Sequence, residues 1–272
     1  MNQMQEGRIL MHNEIVKIGP VTIYGYGLMI AIGIIAAFCA TERLADKKGL
    51  EKEPVFNILS VGVIFGIIGA KLLFYITILD EIIADPGRML PLSDGFVVYG
   101  GIILGIVSAA IYCKKKGLVF LNYLDCSVPS IALAQGFGRI GCFLAGCCYG
   151  VEMASPISVT FKHSAYAPNQ VPLFPSQLVS SAFDFLNFAV LCVLLKRNKR
   201  PGRIGACYLI FYSVGRFAIE FFRGDLERGN VGSFSTSQFI SLFVAAIGIL
   251  MFVLSGRGKK SEKTEEKDET LA

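Results

Sequence analysis

The stretch PVFNILSVGVIFGIIGAKLLFYIT, residues 54–77, decides the fold. It holds a single charge, Lys71, in a run whose other residues are mostly Val, Ile, Leu, Phe and small residues. About 20 apolar residues in a helix cross the roughly 30 Å hydrocarbon core of a bilayer, so this run is long enough to span. Working outward, six further stretches have the same character, at 21–41, 95–113, 120–142, 176–195, 204–222 and 236–255. Composition agrees. Hydrophobic residues make up 53% and charged residues 17%, against about 25% charged in soluble domains. Mean hydropathy is +0.57. The chain lacks the charge to cover a soluble surface of its size. The expectation is an all-α integral membrane protein with seven transmembrane helices in one membrane domain, 1–255. Within it, the polar block 149–175 forms a small outer loop or lid. The Lys/Glu mixture of 256–272 reads as a disordered cytoplasmic tail. The fourth stretch carries Asp125, Pro129 and a Gly-rich end, and is expected to be irregular, broken or partly re-entrant.

Positive charge sets the orientation. The connections beginning at Arg43, Lys114 and Lys196, with the tail after Ser255, hold 17 of the 26 Lys and Arg residues. These are alternate connections, so they mark the cytoplasmic side and place the N-terminus outside. The opposite segments hold only Arg8, Lys17, Arg88, Lys162 and Arg228. The stretch before Val21 lacks a basic start leading into an apolar run, so the first span is expected to act as an uncleaved signal. A net charge of +5, evenly spread, argues against nucleic acid as a partner.

An ionisable group inside a membrane costs about 2.5–3.5 kcal/mol on insertion scales and points to function. Arg139 ends the fourth span, and the sixth carries Arg216, Glu220 and Arg223 at i, i+4 and i+7, one stripe of a helix. Structurally, Glu220 would pair with both arginines and glue helices together. Functionally, a surplus of guanidinium groups forms a site for an anion, and guanidinium suits bidentate phosphate binding. A phospholipid headgroup in the outer leaflet is the expected ligand. Lys71 is weaker evidence, since a long cation near a helix end can snorkel.

Gly136-Phe-Gly138-Arg-Ile-Gly141 matches G-x-G-x-x-G, but that fingerprint needs a preceding strand. Here the glycines read as close packing around Arg139. Of eight cysteines, Cys142, Cys147 and Cys148 cluster. Their C-x4-C-C spacing matches no usual zinc pattern, so no metal and no cofactor is expected. A disulfide, a thiolate beside Arg139, or small residues in a tight turn all fit that spacing. The only histidines, His12 and His163, fall on outer segments, which leaves no histidine relay among the helices.

With these residues in place, the sequence resembles the prolipoprotein diacylglyceryl transferases from Ile18 to about Leu254. Tyr24-Gly-Tyr26-Gly matches the first span of that family, and Gly138-Arg-Ile-Gly141 matches the start of its signature. Pro175-Ser-Gln-Leu178 opens the next span, and Gly215-Arg-Phe-Ala-Ile-Glu-Phe-Phe-Arg-Gly-Asp225 matches the sixth. The resemblance implies transfer of the diacylglyceryl group of phosphatidylglycerol to the lipobox cysteine thiol in a prolipoprotein signal peptide, by a multi-pass protein of the bacterial cytoplasmic membrane. It implies Arg139, Arg216 and Tyr26 as catalytic, with Tyr99 at the position of the family's histidine. Arg139, Arg216, Arg223, Glu220, Gly138 and Gly141 would bind substrate.

The departures concern acid/base and amide groups. Tyr99-Gly100-Gly101 replaces H-G-G, Cys142 stands at the signature's Asn, and Cys147 stands at its usual acidic position. The glutamate that follows P-S-Q-L-Y is missing, and Phe174 stands where the family places His. Two alternatives stay open on these residues. One is a relative with the same lipid site but another acceptor or Cys142/Cys147/Cys148 chemistry. The other is a lipid-binding protein without catalysis.

Overall fold

A computed structural model describes residues 14–18, 21–85, 95–225, 229–232 and 234–269. Arg8, His12, Arg88 and Arg228 lie outside the described residues. The order is β1 (Glu14–Ile18), β2 (Val21–Tyr24), α1 (Gly25–Lys47), α2 (Glu53–Thr77), α3 (Leu79–Ala84), α4 (Val98–Lys115) and α5 (Phe120–Ala145). There follow β3 (Val159–Thr160), β4 (Pro172–Leu173), α6 (Ser176–Arg197), α7 (Arg203–Glu220), β5 (Asn230–Val231), β6 (Phe234–Ser235) and α8 (Thr236–Glu269). Each consecutive pair of strands is an antiparallel two-stranded ribbon.

Among the described residues, six helices are long and apolar enough to cross a membrane: α1, α2, α4, α5, α6 and the Thr236–Ser255 part of α8. The helix α7 has 18 residues but carries Arg203, Arg216 and Glu220, so its apolar run is interrupted. Basic residues close several helices, Lys47 on α1, Lys114 and Lys115 on α4, and Lys196 and Arg197 on α6. Cations at helix C-termini also offset the negative end of the helix dipole.

The chain forms two compact units, 42–123 and the remainder. In the unit 42–123, α2 and α4 meet through glycines. A Cβ on Gly69 would strike the Gly100 carbonyl oxygen, one on Gly100 would strike that of Gly69, and one on Gly101 would come 2.8 Å from the Gly66 oxygen. Small residues permit such close approach in a membrane. The pair Gly100-Gly101 therefore has a packing reason. Lys71 is buried with its Nζ 5.0–5.1 Å from the ring centroids of Phe74, Tyr75 and Phe96. It is held over aromatic faces rather than snorkelling to the surface.

In the larger unit, α1 packs on α5. A Cβ on Gly33 would sit 3.1 Å from the Ala134 oxygen, and one on Gly141 would sit 3.2 Å from the Tyr26 ring. Large apolar side chains such as Ile35, Leu186 and Leu250 stay exposed, as lipid-facing residues do. The block 149–175 has its own small core of Val159, Phe161, Ala167 and Leu173 packed with Phe143 from α5.

One expectation is corrected. The fourth span is a continuous helix through Pro129. Its warning signs have other reasons: the Asp125 carboxylate accepts the Gly205 N–H at 2.9 Å, capping the start of α7, and a Cβ on Gly136 would strike the Phe185 ring. Proline is tolerated in a membrane helix where neighbouring groups satisfy the backbone it frees. In 256–269 the backbone is drawn as part of α8.

Candidate functional site

Arg139 comes from α5, Asp184 from α6, and Tyr212, Gly215 and Arg216 from α7. Together they line a cavity of about 280 Å³, with Phe174 and Phe222 also in its wall. Gly215 is required there, because the Phe183 ring fills the space any Cβ would take.

The Arg216 guanidinium is fixed from two sides. Its Nη2 donates to Ser237 Oγ at 2.7 Å and pairs with Glu220 Oε2 at 2.8 Å. The other Glu220 oxygen accepts from the Ser235 hydroxyl at 3.0 Å. Ser235 also begins α8 in a reciprocal cap. Its N–H donates to Gln238 Oε1 at 3.1 Å, and its Oγ accepts the Gln238 N–H at 3.2 Å. This leaves Arg216 Nη1 buried with no hydrogen-bond partner among the described residues. Arg139 makes no hydrogen bond or ion pair with a described residue. Asp184, buried on α6, lines the same cavity. A buried donor without a partner costs about 1–3 kcal/mol, and an anion in this cavity would supply the acceptor.

Arg223 departs from the expected stripe. The helix ends at Glu220, and residues 222–224 run beside 149–151, with the Val151 N–H on the Phe222 carbonyl and the Gly224 N–H on that of Tyr149. Arg223 then pairs bidentately with Asp225, Nε to Oδ1 at 2.8 Å and Nη2 to Oδ2 at 2.6 Å. Burial works against its charge, but the Asp225 hydrogen bonds outweigh that and hold its pKa above the usual value. Among the described residues Glu220 thus forms its ion pair with Arg216, and Arg223 is not among those lining the cavity. Gly138 faces Ile30, and Gly141 faces Tyr26 and Met29, so both serve helix packing. Tyr26 is half-exposed at the start of α1, over Gly141. Tyr99 belongs to the unit 42–123, exposed on the first turn of α4.

The three clustered cysteines do converge. The thiol sulfurs of Cys142, Cys147 and Cys148 lie within 4.8 Å of one another, and none is in a disulfide with a described residue. Gly146 and Cys148 have φ of 73° and 59°, which turns the chain tightly past the end of α5. The start of α6 clamps this turn. Ser176 Oγ donates to the Cys148 carbonyl and Gln177 Nε2 to that of Cys147, each at 2.8 Å. Hydrogen bonds with Cys142 and Cys147 draw the Cys148 thiol below its usual pKa, against burial and with help from the Arg223 charge. Those with Cys142 and Cys148 push Cys147 up.

Asp184 escaped the sequence reading. The rule that singled out Arg139 applies to it equally, since it is an acid in the middle of the fifth apolar stretch. Gln177, Ser181 and Asn187 are buried on the same helix and make a polar stripe with it.

A helical membrane protein with two arginines lining a cavity between its helices is the class that this fold and site define. The family model for prolipoprotein diacylglyceryl transferase matches residues 13–254. The chain is similar to a phosphatidylglycerol–prolipoprotein diacylglyceryl transferase of Clostridium tetani, 50% identical over 230 residues, covering 85% of this chain and 92% of that one. It is also similar to a second such transferase of Clostridium perfringens, 44% identical over 245 residues, 89% of this chain and 95% of that one. One of Finegoldia magna is 30% identical over 233 residues, 85% and 90% of the two chains. The chain belongs to the prolipoprotein diacylglyceryl transferase family.

Proposed function

We propose that this chain transfers the diacylglyceryl group of phosphatidylglycerol to the thiol of a lipobox cysteine in prolipoprotein signal peptides. It would do so as a seven-span protein of the bacterial cytoplasmic membrane, N-terminus outside, with α7 as the span that carries the site. Family membership supports the reaction, and the observation that carries the site is Arg216. Its Nη2 is held by Ser237 and Glu220 while Nη1 stays unpartnered beside the cavity that Arg139 also lines.

In the transfer, sulfur attacks the glycerol carbon that bears the phosphate ester. The C–S bond forms, the C–O bond breaks, and glycerol phosphate leaves. Charge gathers on the departing phosphate, so preorganised donors in a water-poor cavity lower the barrier. Arg139 and Arg216 supply them, and Asp184 orients Arg139. Tyr26 and Tyr99 are the hydroxyls assigned to headgroup and thiol. Each is tested by its Phe variant, which removes the hydroxyl and keeps the ring.

The test is transfer from labelled phosphatidylglycerol vesicles to a lipobox peptide. Arg139→Ala and Arg216→Ala should each abolish transfer, the first with the fold intact and the second with a lowered unfolding temperature, because it strands Glu220. Wild-type rates from either variant overturn the arginine assignment. A wild-type chain that binds phosphatidylglycerol and never modifies the peptide overturns the transferase reading in favour of lipid binding alone.

A further inference from the structure

We infer that Cys142, Cys147 and Cys148 form a three-thiolate zinc site whose fourth position takes the substrate thiol, an inference that rests on the transferase reading above. The sequence spacing gave no reason for a metal; the geometry does. Catalytic zinc sites use three protein ligands and keep one position open. Tetrahedral zinc with Zn–S bonds of about 2.3 Å places its sulfurs about 3.8 Å apart. Thiols already within 4.8 Å of one another need only a small contraction.

The cluster is also built rather than incidental. Two neighbouring cysteines in extended chain point to opposite sides. Here Cys148 adopts φ 59°, in the left-handed region that a non-glycine residue rarely takes, and both thiols reach Cys142. Backbone in such conformations is concentrated at functional sites. The clamp from Ser176 and Gln177 holds the two carbonyls, so the side chains are fixed from behind. Gln177 is 2% exposed and its Oε1 has no hydrogen-bond partner among the described residues, which leaves a buried acceptor beside the cluster for an incoming donor. Three thiolates and a fourth from substrate would leave zinc with excess negative charge. The guanidinium of Arg223 contacts Cys148, and Arg139 lies one turn from Cys142 on α5, so cations border the shell.

Soft thiolate donors select zinc and copper(I) over hard cations. Zinc fits this reaction because it has no redox chemistry and deprotonates a coordinated thiol outright. That gives the thiol a route to deprotonation besides the phenol of Tyr99, which stands where the family has its histidine. The lipobox thiol would displace water from the fourth position and release its proton to solvent. The zinc-bound sulfur would then attack the glycerol carbon, forming C–S as C–O breaks and glycerol phosphate departs. The product thioether is a poorer ligand than a thiolate and leaves the metal.

The experiment uses the full chain, purified in phosphatidylglycerol nanodiscs without chelator. One zinc per chain is expected. After exchange with Co(II), intense sulfur-to-cobalt charge-transfer bands and tetrahedral d–d bands should appear. A lipobox peptide should shift the d–d bands, while the same peptide with Ser in place of Cys should not. Cys147→His should keep the metal with an altered spectrum, and Cys147→Ser should lose it. A zinc-free chain, stripped by chelator, that transfers at the wild-type rate overturns the metal and leaves the transferase reading standing. So does a disulfide within the trio in the active protein. A cobalt response to the peptide thiol with no lipid transfer by the zinc form overturns the transferase reading instead, while the metal site stands.

Discussion

Arg216 and Glu220 stand one turn apart on α7 with Nη2 and Oε2 separated by 2.8 Å, and side chains only 12% and 7% exposed. The pair is asymmetric in its supports: Ser237 shares the guanidinium, Ser235 holds the carboxylate, and Nη1 is left over. A pair this buried is a weak source of net stability, yet removing one partner strands the other. That loss runs to about 3–5 kcal/mol. Glu220→Gln should therefore lower the unfolding temperature clearly and reduce transfer at least tenfold. Ser235→Ala should cost about 1 kcal/mol, the ordinary value of a lost helix cap. Thermal unfolding in detergent, followed by circular dichroism beside a transfer assay, compares the two.

Asp184 is the acid that shares the cavity lining with Arg139. Asp184→Asn keeps its shape and removes the charge that orients the guanidinium. Transfer should fall about tenfold, a barrier change of about 1.4 kcal/mol. The fold should hold or gain, because an unpaired buried charge is costly. Kinetics and an unfolding curve on one preparation separate the two effects. A variant that loses stability and activity in parallel would make Asp184 structural.

What the sequence showed and what it hid follow one physical rule. The bilayer imposes long apolar runs, so the spans could be read with boundaries a few residues off. In α7 the motif identified a helix whose apolar run alone is interrupted by charge. The pairing of Arg223 could not be read, since the helix ends where Gly224 must pass the Gly150 backbone, and a Cβ on Gly224 would strike the Gly150 oxygen. The cysteine convergence was equally hidden. It depends on the two left-handed residues Gly146 and Cys148, and C-x4-C-C spacing carries no trace of them. Asp184, by contrast, was in plain sight.

Gly215 sets the cavity wall. A methyl group there must displace the Phe183 ring. Overpacking of this kind costs about 1–3 kcal/mol, and it moves the neighbouring Arg216. Gly215→Ala should lower transfer and unfolding temperature together. Adding Phe183→Ala should restore part of both, because the clash is gone. A double variant no better than the single one would mean the loss does not come from that contact.

In the unit 42–123, Gly69 and Gly100 allow α2 and α4 to touch backbone to backbone. Gly100→Ala should destabilise by about 1–3 kcal/mol, whereas Gly117→Ala meets no steric contact and is opposed only by its φ of 69°. If limited proteolysis released residues 42–123 no faster from Gly100→Ala than from wild type, the close helix contact would not be what holds this unit.

Asp125 and Pro129 both looked like signs of a broken helix, and they have opposite consequences. Asp125 accepts the Gly205 N–H at 2.9 Å in a buried place, so Asp125→Ala leaves that donor unsatisfied. The cost should be about 1–3 kcal/mol, and Asp125→Asn, which keeps an acceptor, should recover most of it. Pro129 sits inside a helix that is already continuous. Pro129→Ala returns an N–H in helical register, so insertion, stability and transfer should all match wild type. Unfolding curves of the three variants decide the matter. A Pro129→Ala variant that loses activity with its stability intact would show that the fourth span needs a bend that the continuous helix does not display.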